Sequence, residues 1–280
     1  IGKKTLLVKG GETFVSPFDA APAADGCWVY FTAIDPVTHH GAVFKIAKDG
    51  TGLVRLDADG KFVAPVSIAV AKDGGTLYIA DTGRVTGQSD VGVVFSLPSA
   101  GGTPSVHSEG TAPRGVAVVD GDLYHSGYQL GEGGASALYK TNAPNSLLVS
   151  NPTWDFAGIT GDASALYIVT TVSANGQGRL LKFVGGMATP LSGPLRVGLV
   201  GGAALSGDGS HVLVAAIDPA TGKAAVAHVA VADGSVTYED PGNATFVEPA
   251  GLHRAASVEV YAYVDSLGAN GAGSIWILEK

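Results

Sequence analysis

Five ionisable residues interrupt short recurring segments of the chain that otherwise carry small or apolar side chains. These exceptions are Asp19, Arg114, Asp155, Glu248 and His253. Carboxylates gathered at one place supply the oxygen ligands that Ca²⁺ prefers, and a histidine beside a carboxylate could act in acid/base chemistry. The guanidinium of Arg114 could bind an anionic ligand or neutralise neighbouring acids. The sequence therefore predicts a ligand-binding site at these five positions.

We expect all five side chains to face one axial mouth of the fold. Asp19, Asp155 and Glu248 are the candidate metal ligands, Ca²⁺ at that mouth is the candidate cofactor, and no catalytic residue is assigned. A structural alternative stays open for every member of the set. Each acid could form a turn or cap a strand, Arg114 could pair with an acid between repeat units, and His253 could be a hydrogen-bonded core histidine.

The elements that must position these residues repeat along the chain. A short apolar strand recurs with an anchor residue at its centre, and the anchors are spaced 43–48 residues apart: Tyr30, Tyr78, Tyr124, Tyr167, Leu213 and Tyr261. Each anchor strand follows a strand of small residues and a tight turn, such as Asp120-Gly121, and Asp-Gly between strands favours a hairpin. A third strand and, in the first five units, a fourth strand follow.

Six units of four short antiparallel strands predict an all-β fold, a six-bladed β-propeller that forms a single domain over residues 1–280. The last unit stops after its third strand, whereas a spare strand, Thr5-Leu6-Leu7-Val8, precedes the first unit. We expect that N-terminal strand to pair with the last unit, because closing the ring hides two sheet edges. Small residues on the innermost strands let six sheets converge on one axis.

The composition excludes several classes of function. A net charge of −8 without a basic cluster argues against binding of nucleic acid or of an anionic membrane surface. No apolar stretch is long enough to span a bilayer. The single cysteine, Cys27, is expected to be a small buried apolar residue. The chain starts at Ile1, as a processed or trimmed protein would, and we expect an extracellular or periplasmic location.

The segments Thr76–Gly83 and Pro113–Val118 resemble the repeats of NHL propellers, and the whole chain looks like the superfamily that also holds the SMP-30/gluconolactonase-like hydrolases. This resemblance implies a six-bladed propeller. Gluconolactonase-like enzymes hold a divalent metal over the axis, in part through a Glu before Gly-Pro in the first blade. The resemblance therefore also implies a metal site over the axis. The corresponding segment here, Phe14-Val15-Ser16-Pro17, lacks that Glu.

Three hypotheses for function stay open. The leading one is a non-enzymatic, extracytoplasmic, monomeric propeller that binds a small molecule or a protein partner through its loop-rich axial face. The alternative is a calcium-assisted hydrolase, lactonase or lyase with a rearranged axial ligand set. The third is a purely structural surface module with a plugged channel. No nucleophile elbow, zinc-protease motif or phosphate-binding loop is present in the sequence.

Overall fold

The chain folds into antiparallel β-strands arranged as a β-propeller, as a computed structural model shows, and the all-β class is confirmed. The structure describes residues 2–58, 60–83, 92–130, 134–142, 144–172, 177–239, 246–268 and 270–280. Within these ranges, no helix is long and apolar enough to cross a membrane.

Over the described residues, five hydrogen-bonded sheets contain the strands. The first sheet holds β2 (Val15–Pro22), β3 (Trp28–Ile34), β4 (Gly41–Ala47) and β5 (Val54–Arg55). The second holds β6 (Pro65–Val70), β7 (Thr76–Asp81), β8 (Gly92–Pro98), β9 (Ser105–Val119), β10 (Asp122–Gln129), β11 (Ser136–Lys140) and β12 (Ser146–Asn151). The third holds β13 (Trp154–Asp162), β14 (Ala165–Val172), β15 (Gln177–Val184) and β16 (Met187–Pro190).

The two remaining sheets lie in the last third of the chain, and one of them recruits the first strand. The fourth sheet holds β17 (Arg196–Val197), β18 (Ala203–Leu205), β19 (His211–Ile217), β20 (Ala224–Ala230) and β21 (Val236–Glu239). The fifth holds β22 (Pro249–Arg254), β23 (Val260–Asp265), β24 (Ser274–Glu279) and β1 (Lys3–Lys9).

The second and third sequence units share one seven-stranded sheet because β9 is continuous. Its first half pairs with β8, from Ser105 opposite Ser96 to Thr111 opposite Gly92, and its second half pairs with β10. The sequence treats these halves as the last strand of one unit and the first strand of the next. Because the two units form one sheet, the structure does not separate them into two blades. The count of six blades remains a prediction from the sequence repeat.

The expected pairing of the N-terminal strand with the last unit is confirmed. Strand β1 lies antiparallel to β24, from Lys3 opposite Glu279 to Lys9 opposite Ser274. One bulge interrupts the register between Leu6 and Val8. The pairing covers the outer edge of β24, which would otherwise offer unpaired backbone groups to other chains.

The innermost strands form a closed ring around the axis. Strands β2, β6, the second half of β9, β13, β18 and β22 pack each against the next, and β22 packs against β2. We call the end of the axis where these strands begin the leading end, and the end where each turns into its neighbour the hairpin end. The turns at the hairpin end use residues suited to left-handed backbone, such as Asp120 (φ 50°) and Gly121 (φ 87°).

One position on this ring sets how closely the inner strands approach each other. Two residues after each leading proline, or its equivalent, stand Asp19, Ser67, Gly115, Gly158, Gly202 and Gly251. A Cβ atom on any of the four glycines would overlap an atom of the next inner strand, such as the carbonyl oxygen of Ala157 or of Gly201. The backbones therefore meet directly at this level.

At the other two ring positions a side chain bridges the gap. Asp19 Oδ2 accepts a hydrogen bond from the backbone N–H of Ile68 (3.0 Å), and Ser67 Oγ accepts one from the N–H of Val116 (3.2 Å). Each bridge joins an inner strand to the next one. Two adjacent side-chain bridges and four consecutive direct backbone contacts thus complete one closed circle.

Apolar side chains from adjacent sheets form the core between them. Phe31 stacks on Phe44 and meets Phe14 edge-on, within one cluster that also contains Ile275 and Ile277 of the last sheet. The cluster joins the first sheet to the last across the closure of the ring. Packing of this kind stabilises the fold in proportion to the apolar area removed from water.

One buried histidine belongs to the core and not to the axis. The ring nitrogens of His125 lie 3.0 Å from Thr111 Oγ1 and 2.8 Å from Thr141 Oγ1, and its ring stacks on Tyr139. Burial lowers the pKa of His125 to about 4, so the imidazole is neutral at physiological pH.

The expectation that Cys27 is buried is wrong. Cys27 is exposed, in the turn between β2 and β3, and its backbone N–H donates to Asp25 Oδ1 at 2.9 Å. The aspartate turns the chain before the strand begins, so Cys27 precedes the apolar strand residues and does not join them.

Replacing Gly158 by Ala should destabilise the ring. The added Cβ would overlap the carbonyl oxygen of Gly201, and overpacking of this kind costs roughly 1–3 kcal/mol or more. The free energy of unfolding, measured by urea denaturation, should fall by at least that amount. Gly193→Ala is the matched control because a Cβ there has nothing within 4 Å. Equal stability of the two variants would contradict the close approach.

Candidate functional site

The structure brings four of the five predicted site residues together as two pairs and leaves the fifth apart. Asp19 pairs with His253 on the innermost strands, and Arg114 pairs with Asp155 near the leading end. Glu248 makes no hydrogen bond or ion pair through its carboxylate with the residues that the structure describes. Among the described residues, no hydrogen bond or ion pair joins one pair to the other.

Asp19 is a buried carboxylate with all of its bonding capacity directed to protein donors. It is 1% exposed, and its Oδ2 accepts from Ser67 Oγ (2.8 Å), Ile68 N (3.0 Å) and His253 Nε2 (2.9 Å). Its Oδ1 accepts from the N–H of Ala20 at 2.9 Å. A buried charge is tolerated only when it is paired and hydrogen-bonded, and both conditions hold here.

The partner of Asp19 shows the electrostatic effect of this pairing. Burial alone would lower the pKa of His253, but the charge of Asp19 and its hydrogen bond outweigh burial and raise the pKa above its ordinary value of 6.5. The folded protein therefore holds this proton more tightly than the unfolded chain does. The pair contributes its full stability below pH 6.5 and loses it as the pH rises through the raised pKa.

Near the leading end, Arg114 and Asp155 form a small cluster joined by hydrogen bonds. Arg114 Nη1 lies 2.5 Å from Asp155 Oδ2 and 3.0 Å from the hydroxyl of Tyr128. The Tyr128 hydroxyl donates to Asp155 Oδ1 (2.6 Å), and Thr171 Oγ1 donates to Asp155 Oδ2 (2.9 Å). Arg114 and Asp155 belong to neighbouring inner strands, so this is an ion pair between sequence units.

Glu248 lies in a segment that a different carboxylate fixes. Asp265, fully buried at the end of β23, accepts hydrogen bonds from the backbone N–H groups of Val247 (3.0 Å) and Glu248 (2.8 Å). Asp81, at the end of β7, holds Val63 and Ala64 in the same way. These aspartates position the leading segments of two units.

The carboxylates predicted to bind calcium do not fit a single ion. In the described part of the chain, no group of three or more His, Cys, Asp or Glu side chains is placed to hold a metal. The oxygens of Asp19 and Asp155 are both occupied by protein donors, as described above. A Ca²⁺ ion needs six to eight oxygen ligands at 2.3–2.6 Å, as a rule for such sites.

An open cavity lies on the axis at the hairpin end. Its volume is about 360 Å³, and residues from all six inner strands contribute to its lining. Small side chains such as Ala21, Ala69 and Ala117 form much of the wall, and the imidazole of His253 faces this space. Concave, mostly apolar spaces of this size with a few polar groups are typical small-molecule sites.

The position of each residue along its strand explains why the predicted mouth differs from the observed cavity. A strand rises about 3.3 Å per residue, so the four steps from Pro249 to His253 span roughly 13 Å along the strand. His253 therefore lies toward the hairpin end, whereas Arg114, one residue after Pro113, lies near the leading end. Residues that break the repeat pattern in different units can therefore lie at different heights along the axis.

Several residues of these clusters were missed from the sequence. Tyr128 and Thr171 complete the Arg114 cluster, and Ser67 completes the bonding of Asp19. A usable signal exists for Asp81 and Asp265, because both end the second strand of a unit whose leading segment reads Phe-Val-x-Pro. No local signal identifies Ser67, since its partner lies 48 residues away.

Comparisons with known proteins define the fold class and no family. No family model matches the chain, and no curated protein matches it either. A gluconolactonase from Xanthomonas campestris superposes with a TM-score of 0.65 at 14% identity, over 99% of this chain and 89% of that one. A calcium-binding protein, regucalcin, from Agrobacterium tumefaciens gives 0.63 at 12% identity, over 98% and 94%.

A third solved structure shares the fold over most of its length. The putative TolB from Agrobacterium tumefaciens gives a TM-score of 0.62 at 14% identity, over 98% of this chain and 92% of that one. At these identities the likeness shows the fold alone. The chain is a β-propeller protein, and its function must be argued from its own residues.

Replacing Asp19 by Asn should lower the pKa of His253 and destabilise the fold by roughly 3–5 kcal/mol, because burial then acts on an unpaired imidazole and the amide cannot accept all the former bonds. NMR titration of the His253 ring protons and urea denaturation measure the two effects. Asp120→Asn is the control, since Asp120 is exposed and also lines the cavity. An unchanged His253 titration in Asp19→Asn would contradict the assigned pairing.

Proposed function

We propose that this chain is a β-propeller that binds a small molecule in the axial cavity at the hairpin end, without catalysing a reaction. The observation that carries the proposal is a cavity of about 360 Å³ walled by small side chains, with one imidazole, His253, held in place by a buried carboxylate. A polar group that is fixed in a cavity orients a ligand and supplies specificity.

The clusters at the other end of the axis support this choice of site. Nη1 of Arg114, the Tyr128 hydroxyl and the Asp155 carboxylate bond to one another, which suits an ion pair that joins two sequence units. His253, in contrast, uses one ring nitrogen for Asp19 and leaves the other without a protein partner among the described residues. The hairpin end therefore combines a cavity with a polar group that is available to a ligand.

The wider setting of the protein follows from its composition. We propose one domain over residues 1–280 with six blades, acting as a monomer outside the cytoplasm. The even repeat spacing supports the domain and blade count. The acidic, lysine-poor composition supports the location.

Blocking the cavity mouth should abolish binding. Ala71 is half-buried at the lining, so Ala71→Trp places an indole there without filling the core. Fragments that bind the wild-type protein in ligand-observed NMR should bind at least tenfold more weakly to Ala71→Trp. Ala220→Trp, in an exposed turn, is the matched control and should bind normally.

Arg114→Ala completes the design by testing the leading end. Fragments lost in Arg114→Ala but retained in Ala71→Trp would move the site to the loop-rich face. A library that yields no binder, or binders that Ala71→Trp leaves unaffected, would contradict the proposal.

A calcium-assisted hydrolase is the second candidate, because solved structures with the same fold include a gluconolactonase and a calcium-binding regucalcin. The carboxylates available here do not gather around one ion, which favours the binding function. Addition of millimolar Ca²⁺ should therefore leave the melting temperature equal to that in EDTA. An ion at 100 times its Kd would add about 2.7 kcal/mol of stability, which a melting curve would reveal.

The same measurement on Glu248→Gln and Asp155→Asn serves as the control for calcium. A calcium-dependent rise in melting temperature that either substitution removes would support the hydrolase and identify a ligand. Such a result would contradict the conclusion that these carboxylates do not gather around one ion.

A further inference from the structure

One ring nitrogen of His253 is free to meet a ligand. Nε2 lies 2.9 Å from Asp19 Oδ2, and Nδ1 has no hydrogen-bond partner among the described residues. The buried polar side-chain atoms without a partner in that part of the chain are Arg179 Nε and Tyr263 OH. Nδ1 of His253 is therefore reachable from the cavity that the residue lines.

The other charged residues that line the cavity contribute no net charge, so the charge of His253 decides which ligands the cavity favours. Lys72, Arg254, Asp120 and Asp162 lie at the rim, and their formal charges cancel. Arg254 is also engaged, since its Nε donates to the carbonyl oxygen of Leu205 (2.8 Å) and Nη1 lies 3.3 Å from Glu259 Oε1. The net field inside the cavity thus depends on whether His253 carries a proton.

We propose that the axial cavity binds a small carboxylate, with one carboxylate oxygen accepting a hydrogen bond from Nδ1–H of protonated His253 and the apolar body of the ligand against the alanine wall. This assignment rests on the proposed function and names its ligand class. It requires that Nε2–H donate to Asp19 while Nδ1–H donates to the ligand. Both nitrogens are donors only in the imidazolium form.

Binding of an anion must then be linked to a proton. With His253 neutral, the buried Asp19 carboxylate leaves the wall with a negative charge that repels an anion. With His253 protonated, the pair is neutral and offers a charge-assisted donor to the cavity. The raised pKa of His253 shows that Asp19 already favours the protonated form, and a bound carboxylate raises it further.

The surroundings of His253 contain few other groups that could produce this effect. Strand β22 packs against β2, β18, β19 and β23. The titratable side chains on these strands are Asp19 on β2, His211 on β19, and Tyr261, Tyr263 and Asp265 on β23. Of these, Asp19 alone is a cause of the pKa shift of His253.

The test compares benzoate with benzamide, which has nearly the same shape but no charge. Both are titrated into the intact protein between pH 6 and pH 9 while the ring protons of His253 are followed by NMR. Benzoate should raise the pKa of His253, and its affinity should fall by up to tenfold per pH unit above that pKa, as linkage to one proton requires. Benzamide should bind with no dependence on pH.

Internal and variant controls separate this effect from a general one. His125, buried between two threonines, should keep its pKa of about 4 throughout. His253→Gln keeps a donor for Asp19 but no charge, so the pH dependence of benzoate binding should vanish. His211→Gln removes a histidine from a neighbouring strand and should leave that dependence unchanged. Inorganic phosphate, titrated in parallel, shows whether the site takes anions in general or carboxylates.

Each contrary outcome has a definite meaning. If benzamide and benzoate bind equally at every pH and Ala71→Trp abolishes both, the proposed small-molecule site stands and the carboxylate assignment is overturned. Preference for benzylamine over benzoate would overturn it as well. If neither benzoate nor phosphate perturbs His253 at 50 times the concentration of protein, the carboxylate assignment is also overturned.

Discussion

The close approach of the inner strands at one level of the axis is the constraint on which the rest of this propeller depends. Four glycines let the backbones meet directly, and at the two remaining positions Asp19 and Ser67 reach across to the next strand. A larger residue at a glycine position would push two sheets apart. The interlocking of all the sheets follows from these contacts, since interiors pack at crystal density and tolerate little expansion.

The same constraint connects the scaffold to its candidate chemistry. Asp19 is buried because it bridges two inner strands, and a buried carboxylate needs further donors. His253 is one of those donors, so ring closure also sets the protonation of the imidazole in the axial cavity. The structural and the functional interpretations of Asp19 are therefore not alternatives. In the binding function proposed above, one carboxylate serves both.

Much of the fold could be predicted from the sequence because its signals are local and repeated. The anchor spacing, the Asp-Gly turns and the spare N-terminal strand predicted the β-propeller class and the pairing of β1 with β24. The site could be predicted only in part. Asp19 and His253 stood out as exceptions to the repeat, but they are 234 residues apart, and their contact depends on the stagger between strands of different units.

The sequence also does not show how far along the axis each side chain lies, and the prediction of the site needed that position. The position of each predicted site residue relative to a proline suggested that all five share one axial mouth. The structure has bulges between Val15 and Asp19 and between Pro249 and Leu252, which shift the local register of the strands. The burial of Cys27 was misjudged for a related reason, because one aspartate turn moved it out of the strand. Small irregularities of backbone thus decide which side chains meet.

The pairing of β1 with β24 has a consequence for how the chain folds. These strands are the most distant in sequence that pair in the described part of the chain, so their contact carries a large loop-closure entropy. During synthesis β1 emerges early and finds its partner only after β24 has been made. Until that moment its backbone edge is unprotected, and the interval before closure is the period in which this protein is most exposed to association with other chains.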